Sequence, residues 1–167
     1  MRRGGLFARM LGIVGVTVVG LILVTALSVN RMKQSMLDDQ VTELRHAAEI
    51  GQGVVRGYYG LYASGQVDEE TAKAMAIAAL DSLRYGQKNY IFAYDYTGHV
   101  VVSPGHPERA GRNSYDLKDP QGVPFIAEMI RHAKGGGGAV HYTFTKANDD
   151  RLYDKISYAV GFDDWQW

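Results

Sequence analysis

The sequence predicts an α+β fold preceded by one apolar helix. Three observations carry that expectation. An uncharged apolar tract, LGIVGVTVVGLILVTALSV, fills positions 11–29. Apolar residues then recur at helical spacing in two further segments, about 30–63 and 69–85. From Asn89 onward the period shortens to aromatic and β-branched runs punctuated by Gly, Pro and Asp. Helices that precede a mostly antiparallel sheet, itself crossed by one helix, define the α+β class.

Composition narrows the function classes. The chain has 167 residues, 18 basic and 18 acidic, and no cysteine. That excludes a disulfide framework, a thiolate metal site and a cysteine nucleophile. The charge balance gives none of the basic bias of nucleic-acid binders, so no nucleic-acid partner is expected. With 46% hydrophobic residues the chain can bury a core.

The tract at 11–29 would form a helix about 28 Å long, close to the ~30 Å hydrocarbon core. Arg2, Arg3 and Arg9 precede it, which favours residues 1–10 in the cytoplasm. A cleaved signal peptide is the competing reading, because Ala26-Leu27-Ser28 resembles a small-residue cleavage site. The apolar run is long for such a peptide, so an uncleaved anchor is preferred. Either reading exports residues 30–167.

The next helix extends over 30–63, with Met32, Met36, Val41, Leu44, Ala48, Val55 and Tyr58 on its apolar face. Gly51, Gly53, Gly57 and Gly60 weaken it, each by up to ~1 kcal/mol relative to Ala. Ser64-Gly65-Gln66 is a turn. Asp68 caps a second helix, with Glu69 and Glu70 complementing its dipole, that is expected to stop at Gly86. Residues 90–96 and 99–103 read as two strands joined at Thr97-Gly98. A loop follows to Lys118, then a turn at 119–122 and a helix over about 123–134. Gly135 to Gly138 form a left-handed or flexible connection. Strands are expected over 139–145 and 154–162, with a turn at 146–153 between them. Trp165-Gln-Trp167 reads as the start of a further strand, which suggests a domain interrupted in its last strand.

No catalytic arrangement is recognisable, and no enzyme is expected. The glycines at 135–138 lack the Lys-Ser/Thr of a phosphate loop. His99, His106, His132 and His141 have no close metal-ligand spacing, so no metal is expected, and no cofactor. A binding pocket is easier to argue. Arg84 and Tyr85 end the second helix, Tyr90 and Tyr94 share a strand face, Tyr142 lies on the third strand, and Lys155 and Tyr158 lie on the fourth. Arg offers a planar fork to a carboxylate, Lys a point charge, and Tyr hydroxyls orient an anion. The same residues also fit a surface cation pair over core tyrosines with wet hydroxyls.

The stretch 72–167 resembles the single Cache sensor domain, in its second subtype, of bacterial methyl-accepting chemotaxis receptors and sensor kinases. The matching pieces are LRYGQKNYIFAYD at 83–95, GHVVVSP at 98–104, AGRN at 110–113 and LKDPQG at 117–122. GGAVHY at 137–142, KISY at 155–158 and WQW at 165–167 follow in order. The resemblance implies a PAS-like antiparallel sheet with a long N-terminal helix. It also implies a periplasmic pocket for short carboxylates such as acetate, propionate, pyruvate or lactate, and a homodimer in the inner membrane. Carried over by position, it implies ligand contacts at Arg84, Tyr90, Tyr142 and Lys155, with Tyr158 added. The family often has His-Pro where this chain has Ser103-Pro104. Ser103 can donate a hydrogen bond there but supplies no cation. The expectation is a membrane-anchored extracytoplasmic sensor of a small organic acid. The alternative is a stand-alone anchored binding protein or a dimerisation module without signalling output.

Overall fold

The computed structural model describes residues 4–86, 89–146 and 149–167, without the side chains of 4–9, 11, 13, 14, 16, 17, 30 and 33. The first helix, α1, spans Gly4–Ala63. The chain forms two compact units, Met1–Gln40 and Val41–Trp167. In the first, Val18, Val19, Leu21, Ile22, Leu23 and Val24 are all exposed. Among the described residues, no helix is long and apolar enough to cross a membrane. The expected anchor at 11–29 lies partly outside the described side chains, as do the arginines expected at its inner end.

The second unit begins with the C-terminal part of α1 and a turn in which Gly65 takes φ +73°. Helix α2, Glu69–Ser82, starts where the sequence predicts: Asp68 Oδ1 accepts from Thr71 N–H at 2.8 Å. Ala72, Ala76 and Leu80, spaced by four, form its buried face. The expected helix end is corrected. Leu83 is already extended, and Arg84–Tyr85 form strand β1, which pairs antiparallel with β2, Asn89–Tyr90. Gly86 therefore serves the turn between two strands, at φ +56°, and does not cap the helix.

The strand expected over 90–96 is divided. Its second half, β3 (Ala93–Tyr94), pairs with β4 (Val100–Val102), with a register shift between Ala93 and Tyr94. The connecting turn is held by Asp95, whose Oδ1 accepts from the N–H groups of Thr97 and His99, both at 2.9 Å. Gly98 takes φ +92° there, and a Cβ on it would lie 2.9 Å from the Tyr115 backbone. After β4, His106 N–H donates to Ser103 O at 3.0 Å, closing a turn that feeds a 3-10 helix at Pro107–Arg109. Asp119 is buried and accepts from the N–H groups of Gln121, Val123 and Thr143, which pins this loop to the next strand.

Helix α3, Phe125–Lys134, buries Phe125, Ile126, Met129 and Ile130. Strand β5 (Gly138–Lys146) and strand β6 (Asp149–Ala159) form a long antiparallel pair in register from Gly138↔Ala159 to Thr145↔Leu152. The strand expected to begin at 154 thus begins five residues earlier. Its tip is organised by Asp149, which accepts from Arg151 and from the Tyr153 hydroxyl at 2.6 Å. The described strands form three two-stranded antiparallel ladders, β1-β2, β3-β4 and β5-β6.

Trp165-Gln-Trp167 is not a strand. Phe162 and Trp167 exchange both backbone hydrogen bonds, at 2.7 and 3.1 Å, and close a tight turn with Gln166 at φ +55°. Gln166 O accepts from Tyr96 N–H at 2.8 Å. The turn presents Phe162 and Trp165 to a core with Val55, Ala72, Ala76, Leu80 and Val102. A second core lies between α3 and the β5-β6 ladder, around Ile126, Met129 and Val140.

Candidate ligand-binding site

The β5-β6 ladder supplies the floor of the site. Opposed pairs share a face and the faces alternate, so the pairings Tyr142↔Lys155 and Phe144↔Tyr153 put Tyr142, Phe144 and Lys155 on one face. Tyr142 stacks on Phe125 of α3 with ring centroids 4.5 Å apart, and its hydroxyl lies 3.0 Å from Ser157 Oγ. Phe125 also touches Phe144 at 5.4 Å, so α3 holds both aromatics of this strand face.

Three nitrogen-bearing side chains surround the Phe144 ring. Arg109 Cζ lies 5.4 Å from its centroid, Lys155 Nζ 5.8 Å, and the His106 ring packs edge-on at 5.5 Å. Residues three apart eclipse in a 3-10 turn, which is why the segment that opens at His106 can bring both His106 and Arg109 to one ring. Arg109 donates to Ser114 Oγ at 3.2 Å, and Lys155 donates to Thr145 O. Among the described residues no carboxylate pairs with either cation; the nearby acid, Glu108, faces His106 Nδ1 at 3.4 Å. Burial, and then repulsion from Lys146, pulls the Lys155 ammonium below its usual range.

Tyrosines complete the surroundings. Burial pushes the Tyr142 phenol up to about 12, with Tyr90, Tyr94 and Tyr85 close enough to add to the effect. Burial raises Tyr94 and Tyr90 as well, opposed by Arg109 at Tyr94 and by Arg84 at Tyr90. All three are neutral near pH 7 and are therefore able to donate hydrogen bonds. The Tyr90 hydroxyl lies over Gly105, where a Cβ would collide with it. The turn 103–106 and β2 are thus in direct contact through a glycine.

The sequence-derived candidates separate into groups. Tyr142 and Lys155 share the floor, and Tyr90 reaches the same tyrosine cluster. Ser103 gives its carbonyl to the 103–106 turn. Arg84 is exposed at the rim, opposite Tyr90, and donates to the carbonyls of Asp81 and Leu83 at the end of α2. Tyr158 pairs with Ala139 and lies on the opposite ladder face, against Gly137, so the geometry separates it from Lys155. Arg109, Phe144 and Phe125 were missed in the sequence. The signal for Arg109 was the run SPGHPER, whose two prolines and glycine force two tight turns in seven residues.

Two cations with no carboxylate partner among the described residues, neutral phenols and an aromatic floor suit a small anionic organic ligand. A separate apolar cleft of about 410 Å³ lies along Val54, Tyr58, Leu61, Ala79 and Leu83. Its lining carries no cation, unlike the surroundings of Phe144. Among the described residues, no group of three or more His, Asp or Glu could hold a metal ion.

The fold is that of a sensor domain. The chain belongs to the single Cache domain 2 family, whose model matches residues 36–167. This is a Cache sensor domain of the kind found in chemotaxis receptors and sensor kinases. It is 36% identical to the sensor histidine kinase MctS of Rhizobium johnstonii over 140 residues, 84% of this chain and 30% of that protein. It is 30% identical to the methyl-accepting chemotaxis protein CtpM of Pseudomonas aeruginosa over 134 residues, 80% of this chain and 23% of that protein. The chain thus spans less than a third of the length of either relative. A periplasmic sensor domain of a chemotaxis protein superposes with a TM-score of 0.76 at 27% identity, over 79% of this chain and 92% of the other. A Cache chemosensory domain solved for its carboxylic acid recognition gives 0.76 at 27% identity, over 80% and 92%.

Proposed function

We propose that this chain is the ligand-binding part of a membrane receptor and that it senses a small organic acid at the Phe144 site. The observation that carries the reading is the pair Arg109 and Lys155, both against Phe144 and neither paired with a carboxylate among the described residues. A carboxylate placed between them gains charge-assisted hydrogen bonds in partly dry surroundings. Tyr90 and Tyr142 add neutral donors. The carboxylic acid recognition of a structurally similar Cache domain supports the same ligand class. The proposal extends to the rest of the receptor: 11–29 is the anchor, 1–10 lies in the cytoplasm, 30–167 lies in the periplasm, and the receptor is a homodimer. The apolar, uncharged composition of 11–29 supports the anchor.

The test is a thermal-shift series on the full chain in detergent, with acetate, propionate, pyruvate and lactate. A bound acid at a hundred times its Kd adds about 2.7 kcal/mol, or a shift of roughly 5–10 °C for a chain this size. Lys155→Met and Arg109→Met are expected to weaken the response at least tenfold, in line with the loss of a charged hydrogen bond. Arg84→Ala, at the rim, is expected to weaken it only severalfold. The reading is wrong if none of these acids raises the melting point, or if both cation variants respond like the parent.

A further inference from the structure

His106 has a ring nitrogen that the fold leaves unused. Its backbone is fixed by the 103–106 turn on one side and by Pro107 on the other. Its side chain is only 19% exposed, and its ring is wedged edge-on against Phe144. Nδ1 faces Glu108 Oε1 at 3.4 Å. Nε2 is buried, and among the described residues it has no hydrogen-bond partner. Buried polar atoms in native proteins are paired in the great majority of cases, so an unpaired one on the same ring as two cations that lack a carboxylate among the described residues calls for an occupant.

Resting on the carboxylate reading of the Phe144 site, we propose that His106 Nε2 is a ligand contact that reads a hydroxyl next to the carboxylate. The site would then select 2-hydroxy acids over the same acids without the hydroxyl. Arg109 and Lys155 already answer the carboxylate charge, which leaves the imidazole to contact the adjoining carbon's substituent. Glu108 beside Nδ1 favours the proton on that nitrogen, which makes Nε2 an acceptor; a second proton would make it a donor. A hydroxyl satisfies Nε2 in both states. A keto oxygen satisfies only the protonated state, and a methylene satisfies neither. Rejection of an analogue that lacks the hydroxyl follows from leaving a buried polar atom unpaired. Ser103, which occupies the position of the family's histidine, supplies the turn that delivers His106 from three residues later.

Calorimetric titration of the full chain with lactate against propionate, and glycolate against acetate, tests this. The parent is expected to bind each hydroxy acid roughly tenfold or more tightly than its partner. His106→Leu should bring each pair to within about twofold, through loss of the hydroxy acid affinity alone. His106→Gln, which keeps a donor and an acceptor near the Nε2 position, should retain part of the preference and guards against a Leu variant that fails to fold. Equal affinities in the parent, or a preference that survives in folded His106→Leu, overturn the assignment while leaving the carboxylate site intact. Tighter binding of pyruvate than of lactate by the parent also overturns it. No binding of any acid overturns the carboxylate reading and this inference together.

Discussion

Tyr142 is governed by its surroundings more than by any single partner. Its phenol is raised to about 12 chiefly by burial, between the Phe125 ring and Ser157. A group whose folded pKa lies above its unfolded value of about 10 stabilises the fold fully below pH 10. That contribution is lost as the pH rises from 10 towards 12, because the unfolded chain ionises first. The folded state should therefore lose stability over this alkaline window, and Tyr142→Phe should flatten the loss while costing about 1 kcal/mol at neutral pH for the missing hydroxyl contact. Melting curves at pH 8 to 11 for parent and variant check both signs. At this scale the sequence was informative about residue types and less so about faces. Tyr142 and Lys155 were legible as neighbours on one sheet face because they lie in regular strands. Tyr158 was grouped with Lys155 although their odd spacing of three puts them on opposite sides of any strand. Arg109 was not legible, because it reaches Phe144 from a loop whose path depends on contacts distant in sequence.

Among the elements, the turn 103–106 has the most influence relative to its size. It has two duties: it seats Tyr90 over Gly105 and it delivers His106 and Arg109 to Phe144. Gly105→Ala places a methyl group where the Tyr90 hydroxyl lies, so either the tyrosine or the turn must move. Carboxylate affinity should fall by more than the melting temperature would suggest, since the displaced groups line the site and are not the core. Titration and thermal melting on the same preparation separate the two effects. The starts of α2 and α3 were readable because caps and apolar spacing are local signals: Asp68 caps α2 as expected, and α3 begins within two residues of its expected start. The end of α2 and the extent of β6 were not. Arg84–Tyr85 leave the helix to pair with Asn89–Tyr90, and Asp149–Tyr153 join the strand because Asp149 ties the tip together. Both outcomes depend on pairing, and pairing is a property of two segments at once.

Over the second unit as a whole, the ligand site and α1 lie on different cores. The site rests on the α3-side core, while the C-terminal part of α1 contributes Val55 to the core that holds Phe162 and Trp165. Gln52 of α1 donates to Gly161 O at 2.6 Å, two residues beyond the end of β6. Strand β6 carries Lys155, so the strand proposed to meet the ligand leads to a hydrogen bond with the helix. A ligand that favours one arrangement of β6 would bias the Gln52 contact by its differential affinity for that arrangement, and by no more than that.

The Trp165 turn has an experimental consequence. Trp165 and Trp167 are the chain's two tryptophans, their rings are 5.0 Å apart, and Trp165 meets Tyr59 of α1 edge-on at 5.7 Å. The rings named at the ligand site are tyrosine, phenylalanine and histidine. Light absorbed selectively by indole therefore interrogates the packing against α1, whereas a melting curve reports occupancy. With a saturating carboxylate, Gln52→Ala should keep the thermal shift but diminish any change in tryptophan emission seen in the parent. An emission change that is identical in both proteins would mean that the signal reaches the indoles by a route other than Gly161. The two indoles thus offer a native optical reporter, with no label to attach, for whether occupancy of the proposed site is felt at α1.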